Sequence, residues 1–190
     1  MFASKHQKIL METYKSASEN QRSEGLVWYS KAHAMSTNLT NRFSKEKQVG
    51  VVASLSPNNK WERNIYDAIS LIRKPSINTK VCTFKNNRRK ALRILKGNDK
   101  DIPDILNGRK IKSFYKNILN PYDASCNEVT IDLWMFRLFN LSNTPKNYEY
   151  LKDLIVFYAR GLGYKPSDLQ AILWVTIRDT YNEKRGGKHE

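Results

Sequence analysis

Two residues near the middle of the chain, Lys110 and Asp132, carry side chains of types that could take part in catalysis. Lys110 follows a tight turn at Gly108, and a neutral lysine amine can attack an electrophilic carbon to form a Schiff base. Asp132 begins an apolar segment, and a carboxylate can stabilise positive charge that develops at a reacting carbon. Each residue also has a simpler interpretation: Lys110 as a phosphate contact, and Asp132 as an acid that satisfies helix amides.

The elements around these residues are predicted to be helices. Apolar residues directly after the turn recur at i, i+3, i+4 and i+7, namely Ile111, Phe114, Tyr115 and Ile118. The same helix carries positive charge at its start and on its outer face, from Arg109, Lys110, Lys112 and Lys116. Further on, Thr130 as the N-cap would put Asp132 in the first turn of a helix over 133–141, where the helix dipole favours a carboxylate.

Apolar periodicity elsewhere predicts an all-α protein of about nine helices. The first helix is predicted over 2–18, and a polar, turn-like segment follows over 18–25. The second helix is predicted from 26 to 43, where apolar residues recur at helical spacing. We find no convincing strand pattern, internal repeat or low-complexity tract.

The chain is strongly basic, with a net charge of +15 over 190 residues. Between Lys85 and Lys116, eleven Lys or Arg residues stand against three acids. Such an excess predicts a polyanionic partner, and nucleic acid is the first candidate. Arg88, Arg89 and Lys90 could contact phosphates, which would give affinity without sequence preference. The alternative is a solvated helix face on a merely basic protein.

Three motifs, in this order, resemble the helix-hairpin-helix DNA glycosylases of the endonuclease III type. Residues 51–56 together with Asn64 resemble a helix that ends in L-S-x-Q and is followed by V-N. Residues 108–110 resemble the end of the hairpin, L-P-G-V-G-R-K, and residues 129–137 resemble V-D-T-H-I-F-R. The resemblance covers roughly residues 45 to 141.

The chain departs from the pattern of that family at three points. The hairpin of the family has two glycines, whereas this chain has only Gly108. The gap from Lys110 to Asp132 is a few residues longer. Trp134 stands two residues after the acid, where the family usually has His. These departures bear on substrate and activity more than on the fold.

The resemblance implies a single glycosylase-like domain over 1–190 with two helical lobes and a helix-hairpin-helix motif. The lobes would comprise approximately residues 46–128 and residues 1–45 with 129–190. Asp132 and Lys110 would be catalytic. DNA would be bound by the remaining site residues, Asn58, Asn59, Arg88, Arg89, Lys90, Gly108, Arg109, Lys112 and Lys116. For Asn58 and Asn59, insertion into DNA and ordinary turn chemistry are equally consistent with the sequence.

Two cysteines and three histidines argue against a cysteine or histidine metal site and against the four-cysteine iron–sulfur cluster of many endonuclease III relatives. We therefore expect no cofactor, although the resemblance allows a monovalent cation at the hairpin. No apolar run approaches the roughly 18 residues that span a bilayer. The expectation is a monomeric, soluble, cytoplasmic protein that binds DNA.

The function that these inferences predict is a DNA N-glycosylase that flips out and excises a damaged or modified base, with AP-lyase activity if Lys110 is the nucleophile. One alternative is a non-catalytic DNA-binding protein on the same scaffold. Another is a viral or defence enzyme that acts on hypermodified bases. The sequence does not separate these alternatives.

Overall fold

The structure, a computed structural model, describes residues 4–186, with side chains described as far as residue 182. In that part of the chain all regular structure is helical and no strand occurs, which confirms the all-α prediction. A short 3₁₀ turn, Asp99–Asp101, precedes α6. The helices are α1 Lys5–Ser16, α2 Glu19–Ser36, α3 Lys45–Leu55, α4 Trp61–Arg73, α5 Lys85–Lys96, α6 Ile102–Leu106, α7 Arg109–Leu119, α8 Leu133–Leu138, α9 Pro145–Gly161 and α10 Pro166–Gly186.

The chain divides into two compact units. The insert unit is one continuous segment, Ser30–Tyr122, and the terminal unit combines Met1–Tyr29 with Asp123–Glu190. Helix α2 contributes its first part to the terminal unit and its last part to the insert unit. The predicted start of the first helix, at residue 2, lies outside the described residues.

The insert unit is built around α3, which packs against α4, α5, α6 and α7. All residues from Gln48 to Leu55 are buried, so this helix has no solvent-facing side over its last two turns. A Cβ at Gly50 would lie 3.0 Å from Ile102 Cγ2 and 3.2 Å from Ile94 Cγ2. The absence of a side chain therefore lets α5 and α6 approach α3 closely.

The terminal unit has a separate core formed by α1, α8, α9, α10 and the segment before α8. Its fully buried side chains include Leu10, Ile131, Met135, Phe139, Leu151 and Ile155. Where α2 approaches α10, a Cβ at Gly25 would lie 2.6 Å from the Cα of Ile172. Only glycine allows this contact between the two helix backbones.

The prediction of a turn over residues 18–25 was wrong, because this segment forms the first two turns of α2. Ser18 and Gln21 form reciprocal hydrogen bonds between side chain and backbone, Gln21 N to Ser18 Oγ at 3.2 Å and Ser18 N to Gln21 Oε1 at 3.0 Å. This pair satisfies amides that a helix start otherwise leaves without acceptors. The polar residues at the start of this segment cap the helix, and Gly25 is required by the close packing against α10.

Helix α2 also ends earlier than predicted, at Ser36 instead of residue 43. The buried side chain of Gln48 holds the segment that follows. Its Oε1 accepts from the amides of Leu39 and Thr40, and its Nε2 donates to the carbonyls of Thr40 and Phe43. One side chain up to nine residues away therefore supplies the backbone partners that a helix would have provided.

Candidate nucleic-acid interface and acidic site

The positive charge is concentrated in the insert unit. Residues 30–122 contain 20 Lys or Arg against six Asp or Glu, a net charge of +14. The remainder of the chain contains 13 Lys or Arg against 12 Asp or Glu, a net charge of +1. Any electrostatic attraction for a polyanion therefore originates almost entirely in the insert unit.

Helix α5 divides its cations between two environments. Four of them are exposed and recur at helical spacing, so they form one row along the helix. We call this row the α5 stripe, and it comprises Lys85, Arg89, Arg93 and Lys96. The other two are half-buried and hydrogen-bond inside the unit. Arg88 Nη1 donates to the Thr79 carbonyl at 3.0 Å, and Lys90 Nζ donates to the Leu106 carbonyl at 3.2 Å.

Of the three α5 residues predicted to contact DNA, the structure therefore places only Arg89 on the exposed row. The spacing of Lys85, Arg93 and Lys96 relative to Arg89 was available in the sequence and could have identified the stripe. Helical spacing alone could not show that Arg88 and Lys90 hydrogen-bond inside the unit. Both residues flank the buried face, and the carbonyls that accept from them lie elsewhere in the chain.

A two-residue turn joins α6 to α7. Asn107 has φ 49° and Gly108 has φ 78° with ψ 134°, and both residues are exposed. A Cβ at Gly108 would meet nothing within 4 Å, so glycine is favoured here by backbone conformation and not by lack of space. The Lys90 ammonium caps the last carbonyl of α6 and so fixes the helix that leads into this turn.

Helix α7 presents a second row of cations, the α7 stripe, formed by Arg109, Lys112 and Lys116 at i, i+3 and i+7. Arg109 and Lys116 are exposed, and Lys112 is half-buried. The opposite side of α7 carries buried residues, among them Tyr115. Lys110 lies about 100° around the helix from Arg109 and is half-buried, so it stands off the line of the three stripe residues.

A buried carboxylate, Asp67, organises the loop that contains Asn58 and Asn59. Asp67 is fully buried and accepts from three donors: Asn59 Nδ2 at 3.0 Å, Arg63 Nε at 2.8 Å and the Cys82 amide at 2.6 Å. The Asp67 carboxylate raises the pKa of the Arg63 guanidinium, chiefly through their hydrogen bond. We call these groups the Asp67 node.

The node distinguishes the two asparagines that the sequence left equivalent. The side-chain amide of Asn59 donates to Asp67 at 3.0 Å and to the Leu55 carbonyl at 3.5 Å. Asn58 is exposed and has a left-handed backbone with φ 56°. Of the two, Asn58 is the residue whose side chain lies at the surface.

On the buried side of α7, burial raises the pKa of the Tyr115 hydroxyl to about 12, and the charges of Glu46 and Asp99 add to the shift. Tyr115 therefore remains neutral at physiological pH and serves as an uncharged part of the α7 packing face.

Asp132 lies in the terminal unit as the N-cap of α8. Its Oδ1 accepts from the amides of Trp134 at 2.9 Å and Met135 at 3.2 Å. The prediction that Thr130 would be the N-cap was wrong, and so was the predicted helix end at 141, since α8 ends at Leu138. Thr130 is buried, where it contacts Tyr29 instead.

Two tyrosines fix the segment that delivers Asp132 to the start of α8. Tyr148 Oη donates to the Val129 carbonyl at 2.9 Å and accepts from the Ile131 amide at 3.4 Å. Tyr29 Oη lies 3.0 Å from Thr130 Oγ1 and donates to Gln170 Oε1 at 2.8 Å. These buried contacts span up to 141 positions in sequence, so no local pattern could have revealed them.

The two predicted catalytic residues thus belong to different units, Lys110 to the insert unit and Asp132 to the terminal unit. Among the described residues, no group of three or more His, Cys, Asp or Glu is placed to hold a metal ion. Within the same range, no helix combines the length and the apolar character needed to cross a membrane.

The chain belongs to DUF7178, a family of unknown function, which it matches over residues 2–181. Neither a curated protein nor a solved structure matches it significantly.

Proposed function

We propose that the protein binds DNA through the insert unit and excises a base, with Asp132 as the catalytic carboxylate. The observation that carries the proposal is the net charge of +14 in residues 30–122, displayed in part as the α5 and α7 stripes. Evenly spaced cations on a rigid helix suit the regular array of phosphates on a nucleic acid. The resemblance to helix-hairpin-helix glycosylases supplies the reaction type.

The α6–α7 turn supports DNA binding independently of net charge. It exposes two left-handed residues directly before the helix that bears Arg109 and Lys112. Such a turn can present backbone amides to a phosphate while the first side chains of α7 neutralise it. In this proposal the turn with α6 and α7 acts as the helix-hairpin-helix motif, with Gly108 as its only glycine.

The cap that Asp132 forms is compatible with chemistry at the same carboxylate. The amides of Trp134 and Met135 are neutral donors, so they hold the carboxylate without removing its negative charge. A fixed anion of this kind stabilises the positive sugar that forms as the bond between C1′ and the base breaks.

Lys110 has two alternative roles in this proposal. As a nucleophile, its neutral amine would attack C1′, displace the base and give the Schiff base from which a lyase reaction proceeds. As a phosphate contact it would only add affinity. The position of Lys110 off the α7 stripe favours the first role, because phosphate binding would suit a residue on the stripe better.

A second candidate function is DNA binding without catalysis. It is favoured by the complete structural role of Asp132 as the N-cap of α8 and by the hairpin turn with a single glycine. Under this alternative the insert unit would bind DNA as proposed, and the carboxylate would do no more than start a helix.

A screen of duplexes decides between the two functions. The purified protein is incubated with duplexes that carry uracil, oxidised bases or glucosylated bases, and abasic sites are scored by strand cleavage in alkali. We expect one of these classes to give product. Asp132→Asn should abolish the product while binding persists, because Asn retains the helix cap and loses the charge. The matched control is Asp153→Asn, an exposed acid on α9 of the same unit.

Activity that survives Asp132→Asn would remove this carboxylate from the mechanism. Binding without product on any duplex in the panel would favour the non-catalytic alternative. Product from glucosylated bases alone would favour an enzyme for hypermodified DNA.

Borohydride trapping tests Lys110 separately. If Lys110 is the nucleophile, reduction during turnover should leave a covalent protein–DNA adduct, and Lys110→Gln should eliminate it. Lys112→Gln, which removes a cation from the neighbouring stripe, should leave the adduct unchanged. If Lys110 is only a phosphate contact, no adduct should form, and both substitutions should weaken binding by similar factors.

A further inference from the structure

Aromatic, aliphatic and cationic side chains of α8, which starts directly after Asp132, form a group at the surface with a tyrosine of α10. We call it the Trp134 patch, and it comprises Leu133, Trp134, Arg137 and Tyr181. Leu133 is 54% exposed and Tyr181 is 41% exposed, whereas Trp134 is half-buried. Large apolar groups exposed together in this way are unusual unless they bind something.

Three of the side chains, those of Trp134, Arg137 and Tyr181, contact one another in a defined arrangement. The rings of Trp134 and Tyr181 meet edge to face, with centroids 4.9 Å apart and an interplanar angle of 73°. The Arg137 guanidinium lies over the indole, with Cζ 5.4 Å from the ring centroid. Both aromatic planes and the guanidinium plane are surfaces on which a nucleotide base can stack.

The patch is next to the proposed catalytic group. The backbone amide of Trp134 donates to Asp132 Oδ1 at 2.9 Å, and Leu133 is the residue between them in sequence. A base held against Trp134 would therefore stack on the residue whose backbone amide holds the carboxylate. Exposed apolar side chains such as Leu133 can also occupy the space that an unstacked base vacates.

A second arginine–tryptophan pair in the same unit shows what distinguishes the patch. Arg178 lies over Trp174 with Cζ 4.8 Å from the ring centroid, but it also pairs with Glu24 at 3.0 Å and Asp179 at 2.9 Å. Arg137 forms no ion pair with any residue in the described part of the chain. Its guanidinium can therefore donate to a phosphate while it stacks.

We propose that the Trp134 patch stacks one unpaired nucleotide base beside the Asp132 carboxylate. The two rings supply the stacking surface, and Arg137 supplies charge complementary to the adjoining phosphate. This inference rests on the DNA binding of the proposed function, but not on base excision.

The test compares two DNA duplexes of the same sequence, one fully paired and one with a single-nucleotide bulge. Affinity for each is measured by fluorescence anisotropy of the labelled DNA. The wild type should prefer the bulge. Because stacking contributes about 1–3 kcal/mol per base, Trp134→Leu should reduce this preference about tenfold or more. Trp134→Phe, which keeps an aromatic ring, should retain most of it.

Two further variants separate stacking from a general disturbance of α8. Arg137→Gln changes an exposed side chain and should lower the affinity for the bulge more than for the paired duplex. Phe157→Leu removes a 69% exposed aromatic ring from α9 of the same unit and should change neither affinity.

Each contrary outcome has a defined meaning. Equal loss of affinity for both duplexes in Trp134→Leu, or an unchanged preference, would overturn the stacking site. A wild type that binds both duplexes equally would overturn the stacking site while leaving DNA binding in place. Failure to bind either duplex would overturn both the stacking site and the proposed function, and would direct attention to a protein partner for the patch.

Discussion

The two units of the chain are of comparable size, and all regular structure in their described residues is helical. They nevertheless differ in charge. The insert unit has a net charge of +14 and the terminal unit of +1. The insert unit arranges cations in rows on the outer faces of α5 and α7. The terminal unit has a surface patch of aromatic side chains beside a fixed carboxylate. Under the proposed function, this difference would correspond to a division between holding a polyanion and acting on one of its nucleotides.

The units also differ in how they satisfy buried polar groups. In the insert unit the Asp67 node is built around a fully buried charge with three donors. In the terminal unit the buried network of Tyr29, Thr130 and Gln170 is neutral. Removing one partner of a buried charge lowers the free energy of unfolding more than removing one partner of a buried neutral group. The two networks should therefore respond differently to substitution.

The largest effect should come from neutralising the α5 stripe. Replacing Lys85, Arg89, Arg93 and Lys96 with Gln removes four exposed cations from the insert unit and should weaken duplex binding about a hundredfold or more at about 0.1 M salt. The slope of log affinity against log salt should fall by up to about four, one for each lost phosphate contact. Affinity is measured as a function of salt.

The control changes four exposed lysines of the terminal unit to Gln, namely Lys5, Lys8, Lys15 and Lys146. Net charge falls equally in the two variants, so only location differs. Similar loss of affinity in both would mean that total charge governs binding, and the contrast between the units would have no functional meaning.

Asp67→Ala should cause a larger loss of stability than any single substitution in the neutral network of the terminal unit. It leaves the Cys82 amide without its acceptor and Asn59 Nδ2 with only the Leu55 carbonyl at 3.5 Å. Arg63, whose side chain is 49% exposed, can be rehydrated. We expect the free energy of unfolding to fall by about 2–3 kcal/mol, measured by urea denaturation. The exposed acid of α6, Asp104→Ala, serves as a control, and an equal effect there would refute a special role for the node.

Tyr29→Phe should cost less, about 1–2 kcal/mol, because it removes a neutral hydroxyl and leaves Gln170 Oε1 without its donor. Tyr122→Phe removes a hydroxyl from a side chain that is 75% exposed and should leave stability unchanged. A Tyr29→Phe loss as large as that of Asp67→Ala would mean that buried charge does not distinguish the two networks.

Asp132→Ala should have the smallest effect on stability, about 1 kcal/mol for the lost cap of α8. Asp132→Asn should change stability by no more than a few tenths of a kcal/mol, since Asn caps as well as Asp. Thermal unfolding of both variants checks this order. If Asn is as destabilising as Ala, the charge of Asp132 is structural, and loss of activity in the Asn variant could not be assigned to catalysis.

The sequence predicted features that depend on near neighbours. Apolar spacing predicted the all-α class. It also placed a turn at Gly108 followed at once by a helix. These features follow from local periodicity and turn chemistry, which the residues themselves determine.

What the sequence did not predict depends on partners far along the chain. Gly25 looked like a turn residue because the approach of Ile172 cannot be inferred locally. Gln48 ends α2 by binding backbone groups eight or nine positions away. Thr130 and Asp132 are both good N-cap residues, and the buried contact with Tyr29 decides between them. For the same reason, spacing could place Arg88 on α5 but could not show that its side chain is used inside the unit.

One pair of measurements on the same substrate tests the division between the two units most directly. For a duplex that gives product in the screen, the dissociation constant and the single-turnover rate at saturating protein are measured for Asp132→Asn and for the variant lacking the α5 stripe. We predict that Asp132→Asn loses the rate and keeps the affinity, and that the stripe variant loses affinity and keeps the rate at saturation. A fall of both quantities together in each variant would contradict the account.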